Sequence, residues 1–243
     1  MKPDELVGFV FIQGAGLDRS IWQPVTNGLE IPYLLVDFPA RQLSGKEHNR
    51  LSLRDYATSI GQQIAKWEVE KFVLVAHSLG GVLAMELAEK LGDRIVGAVA
   101  IGAAVPQPGQ SFLSVLPVAK RLSLHVLLRI AGTKPPEKAI RKGLCKELPE
   151  EQAAEIVQRF SSESVRLYTD RVEANLPEVP KLYIKLMKDE ELSVSLQDRM
   201  IVNFQPDLVE TFHAGHLPML TRPLELRNVL RAFLLQFVVY KKE

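Results

Sequence analysis

The sequence has 243 residues, of which 47% are hydrophobic and 24% are charged, a composition typical of one globular domain with a sizeable core. The net charge of +1 excludes the strongly basic surface that nucleic-acid binding requires. The single cysteine, Cys145, excludes an internal disulfide and favours a reducing compartment, so we expect a cytoplasmic protein.

Six short apolar segments predict β-strands. In chain order they cover residues 7–12, 33–36, 72–76, 95–101, 182–186 and 208–212. The first four run without a polar residue, which is typical of a parallel sheet buried on both faces, whereas the last two include charged residues.

Apolar residues at helical spacing fill most of the intervals between these strands. They predict helices over residues 53–67, 81–91, 194–204 and 224–238, the first of them capped by Ser52. The alternation of strand and helix predicts an α/β fold with a doubly wound, mostly parallel sheet.

Residues 95–119 contain no Asp, Glu, Lys or Arg and are long enough to span a bilayer, which takes about 20 residues. Pro106, Pro108 and Pro117 interrupt any helix there. We therefore predict a buried strand followed by a loop, and no membrane span.

The segment 106–179 breaks the alternation, because it has helix-like pieces at 112–130 and 148–160 and no strong strand. We predict a helical cap inserted between two parts of the core, 1–105 and 180–243. The apolar side chains of the cap either line an apolar pocket or pack the cap on the sheet. Its basic residues form a solvated face or contact an acidic substrate group or a membrane surface. They are Lys120, Arg121, Lys134, Lys138, Arg141 and Lys142.

Ser78 lies between the third predicted strand and the helix that follows it, in Ala76-His77-Ser78-Leu79-Gly80. Strand, sharp turn and helix are the context in which a G-x-S-x-G motif exposes a nucleophilic serine. A serine in this position also serves as a plain helix cap. Because the small residues two positions either side permit the sharp turn, we predict that Ser78 is a nucleophile and that His77 is structural.

A nucleophilic serine needs a base, and the chain has five histidines: His48, His77, His125, His213 and His216. In this fold the base follows the acid and lies after a late strand. His213 falls at the end of the last predicted strand, whereas His216 follows Gly215 in the loop before the last helix. We predict His216 as the base.

The acid that orients the histidine belongs at the carboxyl end of a strand. Asp189 is the first carboxylate after the strand at 182–186, and Glu190 and Glu191 compete with it. For the oxyanion we predict two backbone N–H donors, those of Leu79 and of Ala15. Gly14 and Gly16 let the loop of Ala15 approach a substrate closely.

Three stretches together resemble the α/β-hydrolase superfamily. They are FIQGAGLDRSIWQPV, with Gln13 where histidine is usual, AHSLGG, and the tail DEELSVSLQDRMIVNFQPD through AGHLPMLTRPLEL. The tail is similar to the branch of plant methyl-ester esterases and hydroxynitrile lyases, and this similarity implies the same roles for Asp189 and His216. The lyases carry threonine and lysine where this chain has Gly14 and Leu217, so the resemblance implies an esterase.

The sequence therefore predicts a serine hydrolase that cleaves a carboxylic ester of a small, apolar molecule through an acyl-enzyme, with no cofactor or metal. A lactonase, a thioesterase or a C–C bond hydrolase would use the same three residues. A low-turnover ligand-binding receptor of the same fold would also keep them, so these alternatives stay open.

Overall fold

The computed structural model describes residues 6–39 and 50–239, and a six-stranded sheet lies at its centre. The strands are β1 (Val7–Ile12), β2 (Tyr33–Leu35), β3 (Lys71–His77), β4 (Ile95–Ile101), β5 (Lys181–Leu186) and β6 (Leu208–Phe212). Their order across the sheet is β2-β1-β3-β4-β5-β6, and every neighbouring pair is parallel. The predicted α/β fold is confirmed.

Ten α-helices occur in the described residues. They are α1 (Gln23–Thr26), α2 (Leu53–Ala65), α3 (Gly80–Leu91), α4 (Val118–Ala131), α5 (Glu137–Gly143), α6 (Glu150–Arg159), α7 (Arg166–Thr169), α8 (Val194–Phe204), α9 (Pro218–Thr221) and α10 (Pro223–Phe233). Ser52 caps α2 as predicted, because its hydroxyl accepts a hydrogen bond from the Asp55 N–H while the Asp55 carboxylate accepts one from the Ser52 N–H.

The two faces of the sheet are buried in two separate cores. In β3, Phe72 and Leu74 enter the core beneath α2, α3 and α8, whereas Val73 and Val75 enter the core beneath α1 and α10. Alternate residues of a strand point to opposite faces, so both faces need apolar side chains when helices cover both. This explains the uninterrupted apolar strands and makes the sheet doubly wound.

The segment between β4 and β5 contains four helices, α4 to α7, and no strand of the central sheet. Leu116 and Leu128 join the core of α2 and α3, whereas Ile140 of α5 and Ile156 of α6 join the core of α1 and α10. The segment therefore contacts both cores, and its helices lie beside the edge of the sheet where the strands end.

Two predicted helices differ from the structure by more than two residues at one end. The single helix expected over 112–130 is wrong, because the structure has two elements there, a 3₁₀ helix (Phe112–Val115) and α4. Pro117 lies between them, and since it has no N–H it starts α4 instead of continuing the preceding helix. The helix expected over 224–238 ends at Phe233 and continues as a π-helical turn, Leu234–Val239. The short helices α1, α5, α7 and α9 were not expected.

No helix within residues 6–39 and 50–239 is long and apolar enough to cross a bilayer. The uncharged stretch 95–119 forms β4 and a loop, as predicted, and then a 3₁₀ helix and the first residues of α4, which were not predicted there.

Candidate active site

The predicted site residues follow the carboxyl ends of four strands, which meet at one edge of a parallel sheet. Ala15 follows β1, Ser78 and Leu79 follow β3, Asp189 follows β5 and His216 follows β6. The topology therefore brings residues from distant parts of the chain to one edge. That edge is where ligand sites of open α/β sheets form.

Ser78 occupies the sharp turn between β3 and α3 with a φ of 53°. A residue with a side chain rarely adopts this left-handed conformation, so the turn is strained and must be held by its surroundings. The Ser78 N–H donates to the Ile101 carbonyl (3.3 Å), and the Ser78 carbonyl accepts from the Ala104 N–H (2.9 Å). The end of β4 and the loop after it thus fix both sides of the turn.

Small residues around Ser78 allow two backbones to approach it. A Cβ atom on Gly80 would lie 2.7 Å from the carbonyl oxygens of both Ile12 and Gln13, and a Cβ atom on Gly14 would lie 2.9 Å from the Cβ of Ser78. Such distances are too short for real Cβ contacts. Glycine at these positions therefore lets the loop after β1 pack directly against the serine turn.

Asp189 and His216 are joined by a hydrogen bond. The Nδ1 atom of His216 lies 2.8 Å from Oδ2 of Asp189, and the two side chains are 3% and 0% exposed. The carboxylate accepts this bond from the Nδ1–H, which leaves Nε2 of the imidazole as the nitrogen free to take up a proton.

The loop of Asp189 is fixed by backbone hydrogen bonds and by one buried side chain. The second carboxylate oxygen, Oδ1, accepts from the N–H groups of Glu191 (2.8 Å) and Leu192 (3.0 Å). The buried Gln197 side chain donates to the Leu192 carbonyl and exchanges two hydrogen bonds with the backbone of Leu186. Both ends of the loop are therefore held by α8.

The electrostatics of the pair favour charge on both partners. Burial alone raises the pKa of Asp189, but the charge and hydrogen bond of His216 and the two backbone N–H groups outweigh it and lower that pKa. Burial likewise lowers the pKa of His216, but the charge and hydrogen bond of Asp189 outweigh it and raise that pKa. The pair is therefore suited to stabilise an imidazolium during proton transfer.

His77 is completely buried and contacts His216. Its Nε2 lies 2.8 Å from the carbonyl oxygen of His216, and the two rings are 4.6 Å apart. Burial, followed by the charge of His216, lowers the pKa of His77 to about 3. His77 is therefore neutral near pH 7 and donates its Nε2–H to the His216 backbone, a structural contact.

A cavity of about 260 Å³ lies between the sheet edge and the helical segment 106–179. Ala15, Ser78, Leu79 and His216 line one side of it, and most of the other lining residues belong to the segment. Most of these side chains are apolar. They are Phe112, Leu116, Leu124, Leu128, Pro135, Ala139, Ile140, Leu144 and Phe160. The apolar lining favours an apolar ligand beside the serine.

Phe160, at the end of α6, packs directly on the loop after β1. Gly16 has a φ of 76°, and a Cβ atom there would lie 2.1 Å from Cζ of Phe160. The Ser161 N–H donates to the Gly16 carbonyl (3.0 Å). The loop that carries Ala15 is thus held on one side by the serine turn and on the other by α6.

Lys146 and Glu147, in the loop after α5, contact the loops that carry Asp189 and His216. The Gly215 N–H donates to Oε2 of Glu147 (2.5 Å), and the Lys188 ammonium donates to Oε1 of the same carboxylate (3.2 Å). Lys146 forms an ion pair with Glu190. Because Gly215 precedes His216 and Glu190 follows Asp189, residues 146 and 147 connect the helical segment to both loops.

The competing residues are placed elsewhere. Glu190 is exposed and paired with Lys146, and Glu191 lines the cavity and donates its backbone N–H to Asp189. His213 is exposed and His125 lies on α4, whereas His48 falls outside the described residues. Among the candidate carboxylates and histidines in the described residues, Asp189 and His216 are the two that share a hydrogen bond.

Sequence reasoning missed Glu147, Gln197 and Phe160. A charged residue between α5 and α6 and a glutamine inside α8 carry no local pattern that distinguishes them from solvated residues.

Gln13, which lies in the loop after β1, is fully buried, and its side-chain amide has no hydrogen-bond partner in residues 6–39 and 50–239. No group of three His, Cys, Asp or Glu side chains in the same residues could hold a metal ion.

The chain matches the model of the alpha/beta hydrolase family over residues 9–229. It is 27% identical to the putative methylesterase 13 of Arabidopsis thaliana, over 95% of this chain and 56% of that protein. It is also 28% identical to methyl jasmonate esterase 1 of Vitis vinifera, over 90% of this chain and 93% of that protein. The chain thus spans little more than half the length of the first of these relatives.

Solved structures show the same fold. The extracellular alpha/beta-hydrolase of a Paenibacillus species superposes with a TM-score of 0.82, over 93% of this chain and 97% of that one, at 18% identity. At this identity the likeness concerns the fold alone. It extends over the sheet and the helical segment between β4 and β5.

Proposed function

The chain belongs to the alpha/beta hydrolase family, and on this premise we propose that it is a serine hydrolase that cleaves a carboxylic ester. The observation that supports the proposal most directly is the buried hydrogen bond between His216 and Asp189, at the edge of the sheet where Ser78 lies in its strained turn. The similar plant proteins are named methylesterase and methyl jasmonate esterase. A methyl ester of an apolar acid is therefore the first substrate class to test.

In the proposed mechanism His216 is the general base. Its Nε2 takes the proton of the Ser78 hydroxyl as Oγ attacks the ester carbonyl carbon, and Asp189 stabilises the resulting imidazolium through Nδ1–H. The N–H groups of Ala15 and Leu79 bind the oxyanion, and each such donor is typically worth about 10²–10³ in rate.

The tetrahedral intermediate then collapses, and His216 returns the proton to the leaving alkoxide, which departs as the alcohol. Water, deprotonated by His216, attacks the ester of Ser78 and releases the acid, which regenerates the free hydroxyl. The steps balance with the chain's own groups and water, so the proposed mechanism requires no cofactor or metal.

We assign the choice of substrate to the segment 106–179, which we propose to be a cap on a core formed by residues 1–105 and 180–243. Its helices contribute most of the apolar side chains around the cavity. A cavity of about 260 Å³ with this lining suits a small, apolar acyl or alcohol group. A cytoplasmic location for the protein stays a prediction.

The experiment is a comparison of wild type with Ser78→Ala on p-nitrophenyl acetate and on a panel of methyl esters, lactones and thioesters. We expect kcat/KM on the best ester to fall at least about a thousandfold in Ser78→Ala, because no other hydroxyl replaces the nucleophile. Ser123→Ala, which removes an exposed hydroxyl on α4, is the matched control and should keep full activity.

A fluorophosphonate probe should label wild type and Ser123→Ala but not Ser78→Ala, and circular dichroism should show that all three are folded. Full activity in Ser78→Ala would contradict the mechanism. Labelling of Ser78 without steady turnover of any substrate on the panel would instead favour a ligand-binding receptor. A preference for lactones or thioesters would keep the mechanism and change the substrate class.

A further inference from the structure

The outer side of α4 carries an unusual number of exposed apolar side chains. Five of the twelve large hydrophobic side chains exposed in the described residues belong to this one helix of 14 residues, so they form a patch and not scattered surface positions. Four of them repeat at every fourth position and make a row along the helix. We call this row the outer stripe, and it consists of Val118, Leu122, Val126 and Ile130, each between 54% and 81% exposed.

The opposite side of the same helix faces the cavity. Lys120, Leu124 and Leu128 line the cavity beside Ser78 and His216. The helix is thus apolar on two sides, and burial in the protein explains only the inner one. An exposed apolar row of this size on a surface helix marks a contact with another apolar phase or molecule.

Positive charge follows the outer stripe along its length. Arg121 and Arg129 each lie one position before a residue of the outer stripe, two turns apart along the helix, and α4 contains no Asp or Glu. Within the part of the chain that the structure describes, neither Arg121 nor Arg129 forms an ion pair. The helix therefore presents an apolar face edged by unneutralised guanidinium groups.

We propose that the outer stripe of α4 docks on the surface of an anionic lipid bilayer. A helix that lies in the plane of a membrane buries its apolar side among the acyl chains and keeps its basic side chains at the level of the lipid phosphates. The outer stripe and its row of cations have this arrangement. The docked helix would separate the bilayer from the cavity, and this inference holds whether or not Ser78 is a nucleophile.

A second copy of the chain is a poorer occupant. In a two-fold dimer the same surface meets itself, so two copies of α4 would bring the cationic rows of both helices together. With no acidic residue in α4 to offset them, these like charges would oppose association. An anionic lipid surface complements the same charges.

The test is flotation of the full chain with vesicles of phosphatidylcholine alone or with about 30% phosphatidylglycerol added. We expect wild type to float with the anionic vesicles and much more weakly with the neutral ones. Val126→Glu, which places a carboxylate in the outer stripe, should lower partitioning at least about tenfold. Val202→Glu is the matched control, since Val202 is 73% exposed on α8, and it should float like wild type.

The double variant Arg121→Gln/Arg129→Gln should lose about fivefold per cation on the anionic vesicles and nothing on the neutral ones. Thermal melting checks that each variant is folded. No flotation of wild type with anionic vesicles, or equal flotation of Val126→Glu and wild type, overturns the proposal. Light scattering tests whether a second copy occupies the outer stripe. If wild type were a dimer and Val126→Glu a monomer, the outer stripe would be an interface between two copies, and this result would also overturn the proposal.

Discussion

Asp189 and His216, 27 positions apart in the chain, meet through a hydrogen bond of 2.8 Å in which both side chains are almost completely buried. The carboxylate uses its other oxygen for two backbone N–H groups, so its orientation does not depend on the histidine. The backbone therefore orients the carboxylate whether the imidazole of His216 is neutral or protonated.

Asp189→Asn should lower kcat on the best ester by about 10³–10⁴, because an amide in this place no longer fixes the Nδ1–H tautomer of His216 or stabilises its cation. Steady-state kinetics on the ester chosen from the panel give the measurement. Glu190→Gln is the matched control, since Glu190 is adjacent in sequence but exposed and paired with Lys146. A loss in Glu190→Gln as large as in Asp189→Asn would contradict the assignment of the acid.

The pH dependence of kcat/KM should have an acidic limb above the ordinary pKa of histidine, about 6.5. A general base must be neutral, and the net effect of burial and of the Asp189 carboxylate is to raise the pKa of His216, so activity appears only at higher pH. Asp189→Asn removes the carboxylate that raises the pKa of His216, whereas burial still lowers that pKa. The acidic limb of the variant should therefore move to lower pH. An unchanged limb in that variant would show that another group controls the profile.

Gly16→Ala should lower the free energy of unfolding by about 2–4 kcal/mol, since it combines left-handed strain with a collision against Phe160. Gly109 serves as the control for the positive φ, because its φ of 79° is close to the 76° of Gly16 and a Cβ there meets nothing within 4 Å. Gly109→Ala should therefore cost only about 1 kcal/mol. Urea unfolding measures the loss of stability in both variants. Equal losses would mean that the Phe160 ring moves aside at no cost in free energy.

Glu147→Ala should lower kcat by about three- to tenfold with little change in KM, because the Gly215 N–H loses its acceptor and the loop of His216 is no longer fixed. Glu147→Gln keeps an oxygen acceptor and should recover most of the activity. Glu150→Ala removes an exposed glutamate that pairs with Arg141, and it should behave like wild type.

The kinetic comparison is made at a temperature where all three variants are folded, as followed by circular dichroism. If Glu147→Gln were as impaired as Glu147→Ala, the charge contact with Lys188 would matter more than the contact with Gly215. If neither variant changed kcat, the loop would be fixed without this contact.

The sheet was predictable because most of its strands follow one local pattern, a short apolar run that ends at turn residues. The segments 7–12, 95–101 and 208–212 match β1, β4 and β6 residue for residue, and the other three strands differ by one or two residues. Burial on both faces leaves no polar residue within most of these strands, and turn residues end them sharply. The order of Ser78, Asp189 and His216 along the chain then follows from which strand each residue succeeds.

The contacts that fix the site were not predictable in the same way. Glu147 reaches Gly215 across 68 positions, and Phe160 packs on Gly16 across more than twice that distance in sequence, so no local spacing links them. Pro117 was read as a break in a possible membrane span, yet it also divides the expected helix at 112–130 into two elements. Long-range contacts and helix starts of this kind depend on the folded arrangement.

His77 ties two parts of the site together through the carbonyl oxygen of His216. Since His77 and Ser78 are consecutive residues, this hydrogen bond links the turn of Ser78 directly to the backbone of His216. In mechanical terms, the turn after β3 and the loop after β6 behave as one unit, although 139 positions separate the two bonded residues.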